Sequence, residues 1–137
     1  MPLTYGNLTG AAVQDYEMVD GAATLNFKVN VVTVAANSTG TQASGTPLPT
    51  GCPNVAVTSA GSAYSVTLPP STPGAEIDIL CTTPVNTVTV FPNAGGTGSE
   101  KINALAANAG LAMGVQTSAT FMCIVAGQWW TSPRVPS

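Results

Sequence analysis

The dominant pattern along this chain is alternation. Leu25-Asn26-Phe27-Lys28-Val29-Asn30-Val31 places an apolar residue at every second position, as a half-buried β-strand does. Leu25, Phe27, Val29 and Val31 share one face. Val32 and Val34 then fall in the opposite phase, which a bulge, a bend or a strand buried on both sides would produce. The same period of two returns at 55–58, 64–68, 76–81, 87–92, 119–125 and 128–131. In Glu76-Ile77-Asp78-Ile79-Leu80-Cys81, the residues Ile77, Ile79 and Cys81 fall on one face. In Thr87-Val88-Thr89-Val90, the valines face in and the threonines face out.

Turn residues separate these runs. Pro69 to Gly74 stops one strand, because proline cannot donate to a ladder and glycine favours a turn. Pro84-Val85-Asn86 marks another turn, and Ala126-Gly127-Gln128 a tight hairpin. Asn37 to Pro53 is polar and rich in Thr, Ser, Gly and Pro. It reads as a long loop, and loops of that length usually make contact with something. A helical turn fits only around Ile102-Asn103-Ala104-Leu105-Ala106-Ala107, and Gly110 and Gly114 keep it from continuing.

Short strands at regular spacing with turns between them predict an all-β chain: an antiparallel β-sandwich or jelly-roll-like domain with an extended N-terminal arm. The arm takes residues 1–24, a strand plus the long polar loop takes 25–54, and the sandwich takes 55–137. Strand patterning begins only near Leu25, so the arm adds little core and reads as a docking segment.

Composition adds mainly exclusions. The 137 residues include no histidine, and only 7% are charged. General acid–base work and nucleophile activation draw on groups tuned near neutral pH, most often histidine. The sequence therefore predicts no enzyme and no catalytic residue. The net charge of −3, with three Lys and Arg in all, offers no phosphate-binding cluster and no pull toward anionic lipid, so neither nucleic acid nor membrane is an expected partner. No apolar run is long enough to span a bilayer, and no secretory signal is visible at the N-terminus. A surface so poor in charge lacks the repulsion that keeps monomers apart, which favours life inside an assembly.

Candidate chemistry is sparse. Cys52, Cys81 and Cys123 are an odd set without metal-ligand spacing. Cys81 and Cys123 continue apolar strand phases and read as buried hydrophobes, and Cys52 sits in a turn. The Gly-rich run 93–98 lacks the Gly-Lys-Ser/Thr ending of a phosphate loop and reads as a turn, so no cofactor is expected. Glu76 and Asp78 share a strand face. A glycosidase pair is conceivable there, or one using Glu100, but outward acidic residues on a half-buried strand account for them. Asp15, Glu17 and Asp20 carry oxygen ligands but fit no EF-hand spacing, so no metal site is expected. Trp129 and Trp130 are adjacent and must face opposite ways in a strand, one toward the core and one toward an interface or a sugar. With Tyr5 and Tyr16 they form the candidate interface set.

From about Ser65 to Thr131, roughly half the chain, the sequence resembles a recurrent β-domain of tailed-bacteriophage virion proteins. The resemblance lies in Val66-Thr67-Leu68-Pro69, Pro73-Gly74-Ala75-Glu76-Ile77, Asn86-Thr87-Val88-Thr89-Val90-Phe91-Pro92, Gly95-Gly96 leading to Ile102-Asn103-Ala104-Leu105, and Ser118-Ala119-Thr120-Phe121 ending in Gly127-Gln128-Trp129-Trp130. It implies a virion role without catalytic residues, since domains of this kind occur in capsid decoration (cement) proteins and in fibre or spike proteins, usually as trimers. The leading expectation is a capsid decoration protein on the outer head surface, a homotrimer bound to the major capsid protein. The alternative it leaves open is a tail-fibre, spike or head-fibre module that binds host glycans.

Overall fold

A computed structural model describes residues 16–19, 22–25, 31–93 and 99–134, the first two stretches as backbone. Twelve strands are present among them: β1 (Tyr16–Val19), β2 (Ala22–Leu25), β3 (Val31–Ala35), β4 (Thr46–Pro47), β5 (Asn54–Thr58), β6 (Tyr64–Thr67), β7 (Glu76–Cys81), β8 (Val88–Phe91), β9 (Lys101–Ile102), β10 (Leu111–Met113), β11 (Ser118–Val125) and β12 (Gln128–Arg134). No helix occurs among the described residues, so the all-β expectation holds. Ile102 ends β9, and the residues after it form turns instead.

The strands are not arranged as an antiparallel jelly roll. From β3 to β8 the chain alternates between two sheets, one strand to each in turn. The six-stranded sheet has the order β3-β5-β7-β11-β12-β9, and the four-stranded sheet β10-β8-β6-β4. Every return to a sheet therefore runs in the same direction as the visit before. β3, β5 and β7 pair in parallel, as do β4, β6 and β8. This is a solenoid-like coil in which each circuit lays one strand on each sheet. The C-terminal part closes it with antiparallel pairs: β10 on β8, β11 on β7, and β12 on β11. β9 adds to β12 in parallel at the far edge.

In-register parallel pairing stacks like on like. Val32, Val55 and Ile79 form one inward row, which Ala119 extends; Val34, Val57 and Cys81 form the next. From the other sheet Val66, Val88, Val90 and Met113 join the same buried cluster, with Phe121, Cys123, Trp129 and Ile102 at the C-terminal end. Full burial of one such Val or Ile side chain contributes about 1.5–3 kcal/mol. On β3 the inward phase is that of Val32 and Val34, and Val31 is 61% exposed. The face assigned to Val31 from the alternation starting at Leu25 is thus reversed: the inward row is set by register with β5, not by continuity from residue 25.

The long polar segment Asn37–Pro53 contacts the protein's own sheet. It contains β4 and lines the edge of β6. Asn37 and Ser65 exchange backbone hydrogen bonds of 3.0 and 2.9 Å, and Gln42 Nε2 donates to the Pro92 carbonyl at 3.0 Å. These contacts bury Ser65 and Thr67 on the outward side of β6. Gly40 permits the path, with φ +62 and a position where a Cβ would lie 2.8 Å from the Ala63 carbonyl oxygen.

Within the expected extended arm, β1 and β2 pair as a hairpin, Val19 opposite Ala22. The dipeptide between them, Asp20-Gly21, is a strong hairpin signal that alternation alone does not weigh. Tyr5 lies outside the described residues, and Tyr16 is placed only as the first residue of β1.

Candidate functional site

The outward face of the six-stranded sheet carries the features that could meet a partner. Parity along each strand decides which side chains reach it. β5 sends out Asn54 and Ala56, β7 sends out Glu76, Asp78 and Leu80, and β11 sends out Ser118 and Thr120. The small residues of β5 lie between Val31 on β3 and Leu80 on β7. The result is a shallow trough of about 280 Å³ lined by Val31, Asn54, Ala56, Asp78, Leu80 and Ser118. Asp78 accepts a hydrogen bond from the Thr120 hydroxyl of the neighbouring strand β11.

Toward the hairpin end, past Glu76 opposite Met122, the face turns apolar. Trp130 stands opposite Met122 and is 46% exposed. A register shift between Cys123 and Val125 breaks the alternation of β11, so Ile124 (67%) and Val125 (61%) are both exposed. Gly127, at φ +84, makes the tight return to β12. Exposed aromatic and aliphatic side chains grouped in this way are the material of interface anchors.

The two tryptophans divide as neighbours on a strand must. Trp129 is fully buried against the core and presents nothing to a partner, which removes it from the candidate interface; Trp130 remains.

The acidic candidates are engaged separately. Glu76 is exposed on β7 and borders a second crevice of about 470 Å³ walled by Pro49, Cys52, Pro53, Pro69 and Pro70. Glu100 was not visible as a structural residue in the sequence, since nothing local marks a carboxylate for burial. It is only 7% exposed. Its Oε1 accepts from the Ser71 N–H at 3.1 Å and the Ser71 hydroxyl at 2.7 Å, and its Oε2 from the Asn93 N–H at 3.3 Å. Ser71 Oγ in turn accepts from the Gly127 N–H at 2.8 Å. One carboxylate therefore ties the 69–74 loop, the end of β8 and the β11–β12 hairpin together. Glu100→Gln leaves one acceptor and turns an amide toward N–H donors. It should lower stability by about 1.5–3 kcal/mol, the range for hydrogen bonds to charged groups, read as a fall in urea midpoint at constant slope.

All three cysteines are buried, and none is in a disulfide. Cys52, expected in a turn, is also enclosed, its thiol directed to the Asn54 carbonyl at 3.2 Å. Burial raises the Cys123 thiol above its ordinary value, and the Glu100 carboxylate adds to the rise. The folded chain thus holds this proton to higher pH than the unfolded chain. Its contribution to stability is intact below the ordinary thiol range and is lost as pH rises through that range toward the raised value. Thiol reagents at pH 8 should label Cys123 only as fast as the protein opens. Cys123→Ser should cost about 1–3 kcal/mol, the penalty for a poorly partnered hydroxyl in a core; rapid native labelling would contradict the burial.

Among the described residues no three His, Cys, Asp or Glu side chains group as a metal site, and no helix is long and apolar enough to cross a membrane. No protein-family model, curated protein or solved structure matches the chain.

Proposed function

We propose that this chain is a structural protein of the tailed-bacteriophage virion: a decoration protein that binds the major capsid protein on the outer head surface as a homotrimer and stabilises the shell. The observation that carries the reading is the weakly charged outer sheet face ending in Trp130, Ile124 and Val125, a surface suited to burial against another protein. The sequence resemblance over residues 65–131 supplies the virion setting. Mechanistically, a protein that binds only the assembled shell stabilises it by mass action. At a hundred times its dissociation constant that amounts to about 2.7 kcal/mol per site. Closed rotational symmetry suits a unit that must tile a shell.

The test is add-back. Purified protein mixed with mature capsids that lack an outer layer should co-sediment with them and raise the temperature at which they release DNA. Sedimentation velocity should show a trimer at micromolar concentration. Failure to bind capsids, together with adsorption to host cells, would move the protein to the second reading, a fibre or spike module. That reading is favoured by one observation, the exposed Trp130 ring, which could stack on a sugar. Glycan-array binding that disappears in Trp130→Ala separates the two.

A further inference from the structure

The trough on the outward face of the six-stranded sheet has both a shape and a charge. Its floor is low because β5 presents only Asn54 and Ala56 outward, between Val31 on β3 and Leu80 on β7. Val31 is 61% and Leu80 45% exposed, so both stand up as apolar walls. In register, Asn54 lies opposite Asp78, and Leu80 opposite Ser118. The Asp78 carboxylate, the Asn54 carboxamide and the Ser118 hydroxyl therefore belong to one cavity of about 280 Å³.

Asp78 lacks a counter-ion in this cavity. The Thr120 hydroxyl occupies one oxygen of its carboxylate and brings no charge. Among the described side chains the cation is Lys101, on β9, three strands from β7 across the sheet. At about 4.8 Å per strand that is roughly 14 Å, beyond ion-pair reach. Facing water, a half-buried carboxylate of this kind is stable alone. Under a protein partner it loses its water, and a covered charge without an opposite charge opposes binding. A protein that docks on this face must therefore bring a cation to Asp78.

The walls select the kind of cation. Val31, Ala56 and Leu80 offer aliphatic contact to a side-chain stem, and Asp78, Asn54 and Ser118 offer oxygen acceptors to its head. A guanidinium spreads five donors in one plane over several acceptors, where an ammonium is a single point charge. We propose that the trough seats an arginine side chain of the protein that docks on this face, its guanidinium on the Asp78 oxygen that Thr120 leaves open. This seat rests on the docking reading above and adds to it the chemistry of the partner, an arginine projecting from the capsid surface.

Capsid co-sedimentation of full-length Asp78→Asn tests the seat through the sign of the change. Asparagine keeps an acceptor for Thr120 and removes only the charge. Affinity should fall at least tenfold, and added salt should weaken the variant less than the wild type. Affinity unchanged or raised, at an unchanged urea midpoint, overturns the proposal. The chain's own remaining cations are Lys28, outside the described residues, and Arg134, opposite Ser118 in register. Repeating the comparison with Lys28→Gln and Arg134→Gln removes both; loss of the Asp78→Asn effect there also overturns the proposal. A second measurement needs no capsid. N-acetyl-arginine methylamide added to isotope-labelled protein should shift the Asn54 side-chain amide and Leu80 methyl resonances, whereas the neutral citrulline analogue should not. Where wild type binds capsids and Asp78→Asn folds, the affinity result decides. If wild type does not bind capsids, the decoration reading falls and the titration alone decides the seat, as it does if Asp78→Asn fails to fold; absent shifts, or equal shifts with citrulline, then overturn it.

Discussion

Replacing Trp129 by Ala should cost about 3–5 kcal/mol, the range for truncating a large buried aromatic. That is a large share of the roughly 5–15 kcal/mol by which a domain is stable. Trp129 is fully enclosed, stands opposite Cys123 on β11 and beside Ile102 on β9. It therefore fills the core under the last three strands of the six-stranded sheet, β11, β12 and β9, where it anchors the antiparallel closure. Its carbonyl accepts from the Asn103 N–H at 2.8 Å, so a shift of β12 into the cavity would disturb β9 as well. The indole N–H is buried without a hydrogen-bond partner among the described residues. Trp129→Phe discards that N–H and keeps most of the ring, so it should lose much less than Trp129→Ala. Urea unfolding at constant slope measures both. A Trp129→Ala protein within about 1 kcal/mol of wild type would mean that the ring does not anchor this end of the sheet.

The parity of the chain was legible for most strands, and the direction of those strands was not. Ile77, Ile79 and Cys81, and likewise Val88 and Val90, are inward as their alternation predicts. Alternation reports which face is buried but is identical for parallel and antiparallel neighbours. The coil has a sequence trace in the stacked row Val32, Val55 and Ile79, spaced 23 and 24 residues apart. On the other sheet the row is looser: Thr46 pairs with Val66, 20 residues on, and Tyr64 with Val88, 24 residues on. Loops of unequal length blur the repeat below what inspection of single runs detects. Trp130 could be placed because adjacent strand residues must diverge, whereas the burial of Glu100 depends on Ser71 and Asn93, which lie far from any local signal.

Trp130→Ala should leave the fold near wild-type stability, within about 0.5–1 kcal/mol, because nearly half of the residue's surface is already in water. Its effect should appear in binding. Central aromatic anchors typically cost 2 kcal/mol or more when truncated at an interface, which is a loss of about thirtyfold or more. Ile124 and Val125 stand at the same end of the face, so Ile124→Asp should weaken capsid binding further by replacing an exposed apolar side chain with a charge. Leu80→Ala, at the trough and away from the hairpin, separates the two parts of the face. If the trough seats the partner, Leu80→Ala should weaken binding as Trp130→Ala does. If only the hairpin end is covered, it should be silent. Capsid co-sedimentation of the three variants, each checked for an unchanged urea midpoint, makes the comparison. Full affinity in both Trp130→Ala and Ile124→Asp would mean that the apolar end of the sheet is not the docking surface, and the decoration reading would lose the observation that carries it.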